Sequence, residues 1–361
     1  MDMTEFGVAY YQSWDPSHFV KDVEELTNNG FNSILLGVSE YDYWFWHDNV
    51  RECVRIAGER GLKTYVNLWG WGKIFGGEPP SLYLQHSIKD RQVSNKGEIL
   101  PAVCPNSPRF REYILNRVED ITREWKPDYV FLDEPHYLTF LQEPMEYKFR
   151  EFKGWSCRCE ICKEKFREKY GFEMPEKLTS EVLEFREETL FKFLRRIAQK
   201  VVGHGVKVDV CILPTIGEGV LVGKIVKKMA EKIGISDWRR IFKLKEVDTF
   251  STDPYWILIE KGIFTKLFFK GYEWYKDVAQ SFLSECRREN KRSQIWIQIF
   301  KVPREKWKEA LDGIEYSREL GYDSIFFWAY NSGAGSILKG DDSEKFWRKI
   351  CEYVRTCYKG E

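Results

Sequence analysis

Eight strand-length apolar runs alternate with amphipathic segments along the 361-residue chain, and this alternation predicts a (β/α)8 barrel, an α/β fold. The runs are rich in β-branched and aromatic residues and nearly continuously hydrophobic, as strands buried on both faces should be. The eight runs are 6–11, 31–38, 62–69, 128–133, 206–213, 247–252, 294–300 and 322–330. A doubly wound sheet is the alternative, but it usually has a Gly-rich turn after its first strand, which Tyr11-Gln12-Ser13-Trp14 does not provide.

The segments between the runs have the spacing of helices. Apolar residues recur every three or four positions, for example in 19–26 and in 307–314. A glycine closes three of these segments directly before the next run, at Gly30, Gly61 and Gly321. Glycine tolerates the positive φ that helix C-termini often need, so we expect a helix to end at each of these positions.

Two long excursions interrupt the regular alternation. Residues 70–107 follow strand 3, and residues 135–178 follow strand 4. Both are βα loops, which lie at the C-terminal face of a barrel, where barrel enzymes build their active sites. No Pro/Gly/Ser-rich linker divides the chain, so we predict a single barrel domain over 1–361 with two elaborated loops.

The net charge and the hydropathy of the chain limit the kinds of binding partner that we expect. The chain has 56 Lys and Arg against 56 Asp and Glu, so its formal net charge is zero, and we expect neither a nucleic-acid partner nor an anionic membrane surface. No apolar run approaches the roughly 20 residues of a membrane span. The first ten residues show neither the basic nor the apolar region of a signal peptide, which favours a cytoplasmic location. Many Lys, Glu and Arg with few Met suit a thermophile. A homo-oligomer is left open.

A cysteine cluster is the sharpest local signal. Cys157, Cys159 and Cys162 place three thiols within six residues, directly before a predicted helix that ends at Gly171. Tetrahedral zinc needs a fourth ligand, and Cys104 in the preceding excursion is available. We therefore predict a structural zinc site in a loop insertion at about 100–170, with reduced surface thiols as the alternative.

This cysteine spacing resembles the zinc cluster of the family 42 glycoside hydrolases, which are barrel β-galactosidases of clan A. The segments Cys104-Pro105-Asn106-Ser107-Pro108 and Phe131-Leu132-Asp133-Glu134-Pro135 also resemble a wider set of clan-A-like glycosidases. The resemblance is specific over about 100–170. It implies a glycosidase whose acid/base residue is a Glu at the end of strand 4.

The predicted strand ends carry aromatic residues, carboxylates and one His. Aromatic faces stack on sugars, and carboxylates move the protons of glycosidic bonds, so this composition points to a carbohydrate substrate. An aromatic residue at any one of these positions also fits an ordinary core. The expected substrate-binding residues are Tyr10, Glu40, Asn67, Trp69, Trp71, His136, Tyr255, Gln298, Trp328 and Tyr330.

Clan-A enzymes carry Asn-Glu at the end of strand 4, and here the pair is Asp133-Glu134. The match implies that Glu134 is the acid/base and that Asp133 faces the sugar 2-position. The family's nucleophilic Glu on strand 7 has no counterpart, because 295–301 contains no acid. Asp253 at the end of strand 6 is the preferred second carboxylate, with Glu40 as the alternative. The third alternative is that the N-acetyl oxygen of the substrate itself serves as the nucleophile.

The sequence therefore predicts a glycoside hydrolase that cleaves an oligosaccharide with paired carboxylates. An Asp facing the 2-position favours glucosamine-type sugars, and the family resemblance implies galactose-type sugars. Two alternatives stay open: a substrate-assisted N-acetylhexosaminidase that uses Asp133 and Glu134, and a catalytically weak barrel that binds carbohydrate. A metal-dependent barrel hydrolase is disfavoured because the chain has only five His.

Overall fold

The structure is a computed structural model that describes residues 4–11, 14–138, 140–143, 148–151, 154–214, 230–235, 237–259 and 271–359. Within these ranges, eight parallel strands close into a barrel in which neighbours in the chain are neighbours in the sheet, and the last strand pairs with the first. The (β/α)8 prediction is confirmed. Barrel strands 1 to 8 are Glu5–Tyr10, Ser33–Val38, Lys63–Leu68, Tyr129–Leu132, Lys207–Ile212, Thr249–Thr252, Arg292–Gln298 and Ser324–Trp328.

Helices surround the barrel. Several begin at side-chain caps: Asp15 accepts from the Ser17 N–H, and Ser107 accepts from the Phe110 N–H. Gly30, Gly61 and Gly321 adopt positive φ angles of 86°, 81° and 82°, as the helix endings in the sequence predict. Among the described residues, the helices longer than one turn are Pro16–Asn28, Glu40–Phe45, His47–Glu59, Pro108–Asp120, Glu160–Tyr170, Ser180–Val202, Gly271–Arg288, Trp307–Leu320 and Ser343–Lys359.

The core has two layers. The larger layer lies between the strands and the helices. The smaller one fills the barrel with alternate residues of the strands, because successive strand side chains point to opposite faces. It comprises Ala9, Leu35, Tyr65, Tyr129, Phe131, Cys211, Trp296, Phe326 and Ala329. Three partly buried aromatic residues, Tyr11, Tyr255 and Trp328, pack on this inner layer and continue it towards the C-terminal mouth.

A buried acid closes the opposite end of the barrel. Glu5, at the start of barrel strand 1, accepts hydrogen bonds from Ser33 Oγ at 2.7 Å and from Tyr65 OH at 2.6 Å. It also pairs with Lys63 and, at 3.1 Å, with Arg292. These partners come from strands 2, 3 and 7, so the network ties the N-terminal end of the barrel together.

The two excursions contain structure of their own. Residues 70–107 include a hairpin, Arg91–Val93 with Ile99–Val103, and short helical turns. Residues 135–178 include a second hairpin, Phe140–Glu143 with Lys148–Glu151, and the helix Glu160–Tyr170. The extent of the domain over 1–361 stays a prediction. Where the chain is described, it has no helix with the length and apolar character that crossing a bilayer requires.

Candidate active site

Three carboxylates meet at the C-terminal mouth of the barrel. Asp133 and Glu134 follow barrel strand 4, and Asp253 follows barrel strand 6. All three side chains are partly exposed, so a ligand in the mouth can reach them. Glu134 has a φ of 36°, a left-handed conformation that is uncommon for a residue with a Cβ. This turn breaks the strand alternation, and it lets the adjacent Asp133 and Glu134 both point into the mouth.

One of the three carboxylates is held by a side-chain hydrogen bond. The buried Asn67, on barrel strand 3, donates its side-chain N–H to Asp133 Oδ2 at 3.2 Å. Asp253 Oδ1 is buried and has no hydrogen-bond partner among the described residues. Besides burial, the charges of Glu134 and Asp133 raise the pKa of Asp253, so the three acids lie close enough to interact.

Burial and neighbouring charges raise the pKa values of all three acids. Burial raises the pKa of Asp133 to about 7. Burial, and then the nearby charge of Asp133, raises the pKa of Glu134 to about 8. Burial, followed by the charges of Glu134 and Asp133, raises the pKa of Asp253 well above its ordinary value. Carboxyl groups that stay protonated near neutral pH can act as general acids.

The segment after barrel strand 3 folds directly onto these carboxylates. The Gly76 N–H donates to the Asp133 carbonyl at 2.8 Å, and the Gly76 carbonyl accepts from the Gly70 N–H at 2.7 Å. A Cβ at Gly76 would lie 3.2 Å from Asp133 Cγ and 3.2 Å from Glu134 Oε2. Glycine at this position therefore allows the backbone to approach both acids more closely than any other residue would.

Aromatic rings form the wall of the mouth. Tyr11 packs against Trp69 with ring centroids 4.4 Å apart and lies 6.3 Å from Trp328. Trp328 stacks on Tyr255 at 5.7 Å. These four side chains are partly exposed, unlike the fully buried rings deeper in the barrel. Flat faces beside carboxylates suit a ligand with both C–H faces and hydroxyl groups.

His136 supports the turn behind Glu134. Its Nδ1 donates to the Glu134 carbonyl, and its backbone N–H donates to the Ile74 carbonyl at 3.0 Å. Burial lowers the pKa of His136, which favours the neutral ring. The described contacts of His136 thus fix the backbone of Glu134 and join it to the segment after barrel strand 3.

The four predicted zinc ligands come together. Cys104, Cys157, Cys159 and Cys162 are buried, and their sulfur atoms all lie within 4.8 Å of one another. Cys104 Sγ lies 3.4 Å from Cys162 Sγ and 3.6 Å from Cys159 Sγ. A tetrahedral zinc with Zn–S bonds of about 2.3 Å places its sulfurs about 3.8 Å apart. The cluster therefore has the donor set and the dimensions of a site that could hold a metal ion.

Solved structures with the same fold are enzymes that share little sequence with this chain. The catalytic domain of a beta-amylase from Paenibacillus polymyxa is 12% identical, with 98% of each chain covered and a TM-score of 0.67. The PgaB (BpsB) glycoside hydrolase domain from Bordetella bronchiseptica is 10% identical, covering 98% of this chain and 99% of that one, with a TM-score of 0.62. The AHE enzyme from Alicyclobacillus herbarius is 8% identical, covering 99% and 98%, with a TM-score of 0.58.

These likenesses show the fold alone. The chain is a TIM barrel. No protein-family model and no curated protein matches the sequence. The likeness to family 42 glycoside hydrolases is not shown by these comparisons and still rests on the cysteine spacing of this barrel.

Five of the predicted substrate-binding residues are buried and hydrogen-bonded within the protein, and for these the prediction is corrected. The Tyr10 and Tyr330 hydroxyls both donate to Asp22, at 2.7 and 3.1 Å, in the outer core. Trp71 is fully buried and donates its indole N–H to the Val38 carbonyl at 2.8 Å. Each of these side chains is therefore used in packing.

The other two are Glu40 and Gln298. Glu40 is buried and accepts from the Gly72 N–H at 2.8 Å, the Ser81 hydroxyl at 2.7 Å and the Tyr83 N–H at 2.7 Å. It stabilises the excursion and does not face Glu134. Gln298 is fully buried; its side chain accepts from the Leu258 N–H at 3.0 Å and donates to the Phe300 carbonyl at 3.1 Å.

Sequence reasoning missed Glu78. This partly exposed residue follows Gly76 and Gly77, and its charge raises the pKa values of Asp133, Glu134 and Tyr11. The run Gly76-Gly77-Glu78-Pro79-Pro80 was its available signal: two glycines and two prolines around one acid mark a shaped turn inside a βα loop.

Proposed function

We propose that this barrel is a glycoside hydrolase. The observation that carries the proposal is the meeting of Asp133, Glu134 and Asp253 in an accessible mouth, where burial and mutual repulsion raise their pKa values. Glycoside cleavage needs a carboxylic acid that still holds its proton at the working pH. Two solved structures with the same fold are named as a beta-amylase and as a glycoside hydrolase domain, and both names agree with this proposal.

Glu134 is the proposed proton donor. Its pKa of about 8 keeps it protonated at neutral pH, and its partly exposed side chain can reach a ligand in the mouth. When Glu134 gives its proton to the leaving oxygen it becomes a carboxylate. Asp253, which burial keeps protonated in the same mouth, can then donate a hydrogen bond that stabilises the new charge. Asp253 therefore assists the acid, which makes it a positioning residue in this proposal.

Asp133 is the proposed contact for the sugar 2-position. Asn67 holds it by one oxygen, and the carboxyl can meet an ammonium or an acetamide group at the 2-position. Glucosamine and N-acetylglucosamine residues are therefore the first sugars to test, with galactose-type sugars as the choice that the family resemblance implies. Trp69, Tyr255 and Trp328 are the proposed stacking faces.

The protonation of Asp253 bears on the second carboxylate. Burial, followed by the charges of Glu134 and Asp133, raises the pKa of Asp253 well above its ordinary value, so this carboxyl keeps its proton near neutral pH. A protonated carboxyl is a poor nucleophile. This favours the second candidate function, a substrate-assisted N-acetylhexosaminidase, over a mechanism in which Asp253 attacks the sugar.

We further propose that Cys104, Cys157, Cys159 and Cys162 hold a structural zinc ion. Four sulfur donors would close the coordination sphere and leave no position for a reacting water. The metal would fasten the excursion after barrel strand 3 to the one after barrel strand 4, and both excursions flank the carboxylates.

A panel of nitrophenyl glycosides tests the proposed activity. It contains glucosaminides, N-acetylglucosaminides and galactosides in both anomeric forms, and each is measured with the wild-type protein and with Glu134→Gln. The proposal expects turnover that falls by about 10²–10⁴-fold in the variant, the usual contribution of a general acid. Sugar binding by calorimetry without turnover of any glycoside would instead identify a carbohydrate-binding barrel.

A further inference from the structure

The proposed reaction lacks an ionised carboxylate at the anomeric carbon. Barrel strand 7 provides no acid, and its last residue, Gln298, is fully buried and hydrogen-bonded. Burial, followed by the charges of Glu134 and Asp133, raises the pKa of Asp253, so this acid keeps its proton. A base must be free of its proton and must stand apart from the acid by the width of the reacting groups. The inference below rests on the proposed function.

The segment 70–79 brings one further acid to the mouth. Its path is fixed at Gly76 by two backbone hydrogen bonds, one to Asp133 and one to Gly70. The next residue, Gly77, has a φ of 120°, and a Cβ there would lie 2.1 Å from the Trp69 ring. The turn is thus pressed between the carboxylates of strand 4 and the aromatic wall, and it presents Glu78 immediately afterwards.

Lys73 holds the backbone on both sides of Glu78. Its amine donates to the Gly77 carbonyl and, at 3.3 Å, to the Pro79 carbonyl. Burial lowers the pKa of Lys73, and the charge of Glu78 opposes that effect, which places the Glu78 carboxylate near the amine. The backbone around Glu78 is therefore held in place, while its side chain stays partly exposed.

Glu78 also interacts with the proposed acid. After burial and the charge of the adjacent Asp133, the charge of Glu78 raises the pKa of Glu134 as well, so both side chains belong to one mouth. Glu78 lies on a different segment from Glu134, and the hydrogen bonds at Gly76 and Lys73 hold that segment against the carboxylates.

We propose that Glu78 is the second catalytic carboxylate and that it activates a water molecule for attack on the anomeric carbon. The water oxygen forms the new bond to the anomeric carbon, and one water proton goes to the Glu78 carboxylate. The bond from the anomeric carbon to the leaving oxygen breaks, and that oxygen takes the proton of Glu134. The product therefore has the inverted anomeric configuration, and no other reactant is needed.

Glu78→Gln tests the assignment, because it keeps the size of the side chain and removes its ability to accept the proton. Steady-state kinetics on the best glycoside of the panel should show kcat lower by about 10²–10⁴-fold with KM changed by only a few-fold. Glu112→Gln, at an exposed position of the helix Pro108–Asp120, is the matched control and should leave both constants unchanged. Melting temperatures of both variants report folding.

The outcomes separate the inference from the function on which it rests. Proton NMR of the first product formed should show the inverted anomer. Retained configuration, or Glu78→Gln with kcat near that of the wild type while Glu134→Gln is inactive, would overturn the role of Glu78 and leave the glycosidase standing. Wild-type protein that cleaves no glycoside of the panel would overturn both.

Discussion

Gly76→Ala probes how closely the segment after barrel strand 3 sits on the carboxylates. The φ of Gly76 lies outside the left-handed region, so its backbone accepts alanine, but the new Cβ would lie 3.2 Å from both Asp133 Cγ and Glu134 Oε2. Carbon contacts relax to about 3.5–4.0 Å, so the carboxylates must shift by a few tenths of an ångström. A misplacement of about 1 Å costs on the order of 10²-fold in rate, and we therefore expect roughly tenfold lower kcat.

The assay is steady-state kinetics on the best glycoside, together with thermal unfolding. Gly58→Ala is the control: it lies in the helix His47–Glu59, and a Cβ there would meet nothing within 4 Å. This control should keep full activity and raise the free energy of unfolding by about 0.5–1 kcal/mol. A folded Gly76→Ala variant with unchanged kcat would refute the close approach to the two acids.

Three further predictions concern pH, metal and stacking. Burial raises the pKa of Glu134 from 4.5 to about 8 in the folded state, so the folded protein loses stability as the pH rises through that range. The melting temperature of Glu134→Gln should therefore exceed that of the wild type by more at pH 9 than at pH 5. A difference that does not change with pH would contradict this. Elemental analysis should find about one zinc per chain. The Cys159→Ser variant should lose the zinc and unfold at a lower temperature. Wild-type protein that contains no zinc after expression in zinc-containing medium would exclude the metal. Trp69→Ala should lower kcat/KM roughly tenfold, equivalent to about 1.4 kcal/mol, and an unchanged value would make Trp69 a packing residue.

Strand alternation explains which mouth residues the sequence could reveal. Ala9, Tyr65, Phe131 and Phe326 point into the barrel, so the residues two positions further along each strand continue inward. That rule selects Tyr11, Asn67, Asp133 and Trp328, which all lie at the mouth. It also turns Tyr10 towards the helices, where the structure has it. The prediction of Tyr10 as a substrate contact ignored this parity. Tyr330 lies beyond the end of barrel strand 8, where the alternation no longer holds, so composition at the strand ends was too coarse a guide.

Strand alternation could not predict the contacts of the excursion after barrel strand 3. Glu40 and Trp71 were expected at the mouth, but each is used to anchor that excursion: Glu40 accepts from Gly72, and Trp71 donates to Val38. These are long-range contacts between a loop and the barrel, and no periodicity in the sequence encodes them. For the same reason, the glycines and prolines around Glu78 mark a turn but do not reveal that its charge acts on Glu134. The cysteine cluster was predictable because zinc fixes the residue type and the spacing of its ligands.

The leaving-group dependence of Glu134→Gln tests the central claim that Glu134 protonates a glycosidic oxygen. A dinitrophenyl leaving group departs without protonation, whereas an alkyl or sugar oxygen needs the proton. We expect the variant to lose about 10²–10⁴-fold in kcat/KM on an oligosaccharide but less than about tenfold on the matching dinitrophenyl glycoside. Equal losses on both substrates, in a variant that folds as the wild type does, would show that Glu134 is not the proton donor.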